Sequence, residues 1–208
     1  MLNPFKKKPK KKGHFGGFKQ KTASVLELAG HVTHLLSAPT NLYGLLITKR
    51  MDPAFREEIM VAVATLNACK YCNYAHHDFA LQAGVSEEEL AQLEGIAIED
   101  YDSRKFLAIT YARELANKDF GEIDADLEKS MKVEYTITER GDIQTTARII
   151  MLFSLLCNTA DAFLERVKGE PVEDSDLFDE VVIAGSFFGA ILPVVGVYLS
   201  ILRKESPI

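Results

Sequence analysis

The chain has 208 residues, 47% of them apolar, enough for one compact domain with a substantial core and an appendage. Its formal charge of −6 is unevenly spread: Lys6, Lys7, Lys8, Lys10, Lys11 and Lys12 crowd the first dozen residues, and the acidic body left behind argues against nucleic-acid binding. Three cysteines do not make the multi-bridge framework of a small secreted domain, and lysines with no apolar run after them do not make a secretory signal peptide, so the body is expected in the cytoplasm.

Residues 1–21 combine lysine, glycine and proline with few residues that could pack, and read as a disordered basic arm outside the core. From Thr22 the pattern is helical: Val25, Leu26, Ala29, Val32 and Leu36 recur at three- and four-residue steps until Pro39, and a short apolar piece, Leu42 to Thr48, follows. Asp52 and Pro53 read as the N-cap and first residue of a helix through Phe55, Ile59, Val63 and Leu66. Asn67 interrupts it, and a second helix from about Cys69 carries His76, Phe79, Ala80 and Ala83 up to a Gly84 cap. Ser86 with Glu89 resembles a capping box. Asp102 caps a helix from Ser103 to about Lys118, with a turn at Gly121. Asp142 reads as the cap of a longer helix through Ile149, Leu156 and Phe163, closed by Gly169 and Pro171. No alternating run suggests a sheet and no repeat has a solenoid period, so the fold class is all-α.

Val181 to Leu202 is 22 residues without a charge. As a helix it would reach about 33 Å, against a hydrocarbon core of roughly 30 Å, and Gly185 with Gly189 forms a step suited to close helix pairing. Two readings stand: a membrane anchor at 181–202 assisted by the Lys-rich arm, or a helix buried in the core of a homo-oligomer. The chain thus divides into 1–21, 22–170 and 171–208.

Chemistry concentrates in Cys69-Lys70-Tyr71-Cys72-Asn73-Tyr74-Ala75-His76. Offsets of three and seven residues return to one helix face, so Cys69, Cys72 and His76 can converge. Thiol chemistry needs thiolate, and a helix starting near Asn67 places both cysteines in its first turns, where unpaired N–H groups favour negative charge. His76, one turn past Cys72, can take its proton. Glu57, twelve residues before Cys69, is the carboxylate that could orient the imidazole, provided that the chain breaks near Asn67. His77 points about 100° away and reads as exposed or partner-facing. His31 and His34 read as a partly buried or solvated pair, Cys157 as a small core residue, and Asp161 as surface or oligomer-facing. No phosphate-cradling loop is visible, and no cofactor is expected.

The run from Phe55-Arg56-Glu57-Glu58-Ile59 through Leu66-Asn67-Ala68-Cys69-Lys70-Tyr71-Cys72 to His76 resembles the alkyl hydroperoxidase D and carboxymuconolactone decarboxylase superfamily: a glutamate, eleven residues, C-x-x-C, three residues and a histidine. The resemblance implies a helical bundle over 22–170 and a thiol peroxidase. Cys72 would attack a hydroperoxide to give a sulfenic acid, Cys69 would resolve it as a disulfide, His76 would be acid and base, Glu57 the proton relay, and an external dithiol the reductant. The peroxidase branch often carries a second histidine just before the nucleophilic cysteine, where this chain has Tyr71. The alternatives are a non-catalytic membrane-associated scaffold with the same fold, and a structural zinc site at the C-x-x-C and histidine.

Overall fold

The computed structural model describes residues 14–15, 18–95, 102–191 and 193. Among these, a short antiparallel ribbon of β1 (His14–Phe15) and β2 (Phe18–Lys19) precedes nine α-helices. They are α1 (Val25–Leu36), α2 (Pro39–Leu46), α3 (Pro53–Leu66), α4 (Lys70–Gln82), α5 (Glu87–Gly95), α6 (Ser103–Asn117), α7 (Ala125–Glu134), α8 (Ile137–Val167) and α9 (Leu177–Ser186), with a π-helical turn, Phe187–Ile191, after α9. The fold is an all-α bundle.

Helix α3 is the central element. Every residue from Glu57 to Thr65 is buried, and α4, α5, α6 and α8 pack around it. Its start follows from residue type, since Asp52 accepts a hydrogen bond from the Phe55 N–H at 2.9 Å and Pro53 has no N–H to leave unpaired. The buried Glu58 is held by Lys105 of α6 at 2.9 Å.

Helix α8 begins earlier than the Asp142 cap expected from the sequence. Thr136 and Glu139 form a reciprocal capping box, the Thr136 hydroxyl accepting from the Glu139 N–H at 3.2 Å and Glu139 Oε2 accepting from the Thr136 N–H at 2.8 Å. Asp142 lies buried inside the helix, where Arg50 donates from Nε at 2.7 Å and Asn41 donates at 3.0 Å. Gly141 makes this approach possible, because a β-carbon there would collide with the Asn41 amide. Helix α7, which the sequence reading did not anticipate, is capped by Asp124.

The segment read as a disordered arm is ordered where it is described. Gln20 is buried and donates to the Asn158 carbonyl at 3.0 Å, the Lys21 N–H donates to the Asn67 carbonyl at 3.2 Å, and the Ala23 N–H donates to Thr159 at 3.0 Å. Polar side chains of α8 therefore take up a strap that has little apolar surface of its own. The remainder of 1–21 lies outside the described residues, including its lysine cluster.

By length and composition α8 is, among the described residues, the one helix able to cross a membrane, and 61% of its most apolar stretch is buried by neighbouring helices, as in the core helix of a bundle. Of the 181–202 run, α9 packs on α8 through buried Ile183 and Ala184, and its buried Glu180 accepts two hydrogen bonds from Arg166, at 2.6 and 2.9 Å. Residues 192 and 194–202 lie outside the described residues.

Candidate functional site

The site is built on the break between α3 and α4. The Cys69 N–H donates to the Ala64 carbonyl and the Ala68 N–H to the Thr65 carbonyl, both at 3.0 Å, the paired bonds of a Schellman helix end. Ala68 sits at φ +53°, in the left-handed region where glycine is usual, whereas the same motif at the end of α4 uses Gly84 at φ +97°. The turn folds α4 back along α3 and makes Cys69 the N-cap of α4, its sulfur accepting the Cys72 N–H at 3.3 Å. The two sulfurs lie at bonding distance, as a Cys69–Cys72 disulfide. Cys69 is 0% exposed and Cys72 6%.

The same fold-back brings His76 to Glu57. His76 Nδ1 lies 2.6 Å from Glu57 Oε2, and Arg56 donates to Oε1 from Nε at 3.0 Å and from its second nitrogen at 2.9 Å. Burial pushes the Glu57 carboxyl up, but the hydrogen bonds and positive charge of His76 and Arg56 outweigh it and hold the group below its ordinary value. The carboxylate is therefore ionised near neutral pH, so His76 Nδ1 is the donor, and in the neutral ring Nε2 carries no hydrogen. The ring is 19% exposed and meets the edge of Phe79, centroids 5.8 Å apart.

Asp161, read from the sequence as surface or oligomer-facing, is instead buried against the thiol motif. Lys70 donates to it at 2.8 and 3.0 Å and the Tyr71 hydroxyl at 2.8 Å. Burial, with the bond to Asp161 next, pushes the Tyr71 phenol up. Tyr71 thus points its polar group at α8. Cys157, one turn before Asp161, is half-buried, and its sulfur lies with those of Cys69 and Cys72 in a group whose members are all within 4.8 Å of one another. Burial, with the Asp161 charge second, pushes its thiol up to about 11. The zinc alternative named His76 as the third ligand; among the described residues it is Cys157 that joins the two sulfurs at ligand range. The sequence reading did not bring Asp161 and Cys157 to the site, although their four-residue spacing puts a thiol and a carboxylate on one face of the helix.

The other histidines separate. His77 pairs with Glu87 at 3.2 Å, His34 is exposed, and His31 is buried between Asp119 at 3.1 Å and Arg148 at 3.2 Å.

Residues 34–114 match the model of the carboxymuconolactone decarboxylase family, a stretch that runs from the end of α1 into α6 and includes Glu57, Cys69, Cys72 and His76. No curated protein and no solved structure matches the chain. That match, over 81 of the 208 residues, and the all-helical bundle around it are consistent with the alkyl hydroperoxidase D-like and carboxymuconolactone decarboxylase superfamily.

Proposed function

We propose that the chain is a thiol-dependent peroxidase that reduces hydroperoxides with Cys72 and Cys69. His76 takes the Cys72 proton through Nε2, and the thiolate attacks the terminal peroxide oxygen. The S–O bond forms as the O–O bond breaks, and the imidazolium returns the proton to the departing alkoxide. The Cys69 thiol then attacks the Cys72 sulfenic sulfur. An S–S bond forms, and hydroxide leaves with the thiol proton as water. An external dithiol supplies two electrons and two protons to restore both thiols.

The observation that carries this reading is the 2.6 Å contact of His76 with a buried, ionised Glu57, one helical turn from Cys72. Two further features support it. The Cys72 N–H directed at Cys69 stabilises a Cys69 thiolate as leaving group when a donor attacks the slightly exposed Cys72. Leu177, Phe178 and Phe188 remain exposed, apolar surface that a second subunit would cover, so a homo-oligomer belongs to the proposal.

Mass spectrometry of trapped thiols after one equivalent of hydroperoxide tests the reading. The reduced chain should lose two free thiols, and Cys72→Ser should lose none. An unreacted Cys72 in the wild type would refute it and leave a non-catalytic scaffold.

A further inference from the structure

The mechanism above uses two sulfurs, and a third lies beside them. Cys157 comes from α8, whereas Cys69 and Cys72 belong to the start of α4, and all three sulfurs lie within 4.8 Å of one another. An S–S bond is about 2.05 Å long, so a further approach of about 3 Å is needed, which is what one staggered χ1 step of a cysteine supplies. Cys157 is also the most exposed of the three.

We propose that Cys157 is a second resolving thiol, which condenses with the Cys72 sulfenic acid in place of Cys69. The step rests on the peroxidase reading for its sulfenic acid, but its geometry does not. The Cys157 sulfur attacks the Cys72 sulfur as its proton passes to the departing oxygen, the S–S bond forms, and the S–O bond breaks. Hydroxide leaves with the thiol proton as water, so Cys157 is oxidised as the sulfenic sulfur is reduced. The surroundings of Cys157 keep it from being the attacker on peroxide. Burial and the Asp161 carboxylate keep it protonated, so it does not compete with Cys72 for peroxide, yet it brings the proton that hydroxide needs on leaving. A Cys72–Cys157 bridge would tie α4 to α8 and move one sulfur of the disulfide to the more accessible position, where a dithiol donor can reach it.

The test uses the full chain as Cys69→Ser, Cys157→Ser and the double variant, each reduced, treated with one equivalent of hydrogen peroxide or of the azo oxidant diamide, alkylated and peptide-mapped. Serine is a preferred N-cap residue, so Cys69→Ser keeps an acceptor for the Cys72 N–H. In Cys69→Ser both oxidants should remove two thiols and give a linked Cys72–Cys157 peptide, and sulfenic acid at Cys72 should persist only in the double variant. In oxidised wild type a fraction of molecules should carry Cys157 in the bridge and Cys69 free. Cys157 fully alkylated in both proteins after diamide overturns the inference. A link formed by diamide but not by peroxide upholds the third thiol and removes the peroxidase reading instead.

Discussion

Glu57→Gln separates a proton relay from a structural ion pair. The carboxylate is 3% exposed and both oxygens are occupied, Oε1 by two Arg56 nitrogens and Oε2 by His76 Nδ1. Glutamine fills the same volume but offers one acceptor and one donating amide. If its oxygen faces Arg56, its NH₂ faces His76 and forces the ring into the tautomer with Nδ1 as acceptor. Nε2 then carries a hydrogen and can no longer take the Cys72 proton. Loss of charge-assisted bonding costs about 1.5–3 kcal/mol, and the low end applies because the Arg56 side chain is 30% exposed and water can replace part of its partner. Loss of general-base function costs roughly 100- to 10,000-fold in rate. Urea unfolding reads the first quantity, and stopped-flow formation of the Cys72 sulfenic acid reads the second. A variant that loses stability but oxidises at the wild-type rate would refute the relay.

The other expectations concern backbone, acidity and the third thiol. Ala68→Gly should raise stability by about 1 kcal/mol, because alanine at φ +53° bears a left-handed penalty that glycine lacks, measurable as a higher urea midpoint. Thr136→Ala should cost about 1 kcal/mol by removing the α8 cap, read the same way. Since the folded-state Glu57 carboxyl lies below its ordinary value of 4.5, the stability it contributes is present above that value and is lost as pH falls through the lower folded value. Urea midpoints from pH 7 down to 3 should therefore fall more steeply for the wild type than for Glu57→Gln. Asp161→Asn should bring the Cys157 thiol down from about 11 while burial still keeps it above 9.0. The pH dependence of Cys157 alkylation in a chain lacking Cys69 and Cys72 measures this.

The helices that could be read from the sequence were those whose ends are local chemistry. Asp52-Pro53, Gly84 and Asp102 each act through neighbours within a few residues, and the structure uses them so. Asp142 misled because an aspartate before an apolar run has the composition of a cap, while the decisive partners, Asn41 and Arg50, lie about a hundred residues away in the chain. The order of Gln20 and Lys21 was hidden for the same reason, since their partners Asn158 and Asn67 are distant. In the candidate site, the spacing of Glu57, Cys69, Cys72 and His76 was visible together with the break that their meeting requires. Cys157 and Asp161 were not, because only the packing of α8 on α4 tells which face of that long helix meets the thiols.

The left-handed Ala68 links these observations. Had α3 run straight through residues 67–69, Glu57 and His76, nineteen residues apart, would lie about 28 Å apart along one axis at the usual rise. The Schellman turn brings them to hydrogen-bond distance and in the same step exposes a fresh helix N-terminus at Cys69. One local break therefore produces both the imidazole held by Glu57 and the N–H directed at the Cys69 sulfur. Both Cys69 and Cys72 are buried there, at 0% and 6% exposure, which leaves their sulfurs little access to water. The least buried of the three sulfurs belongs to α8, so in the bridge proposed between Cys72 and Cys157 it is the Cys157 sulfur that a dithiol donor would meet first.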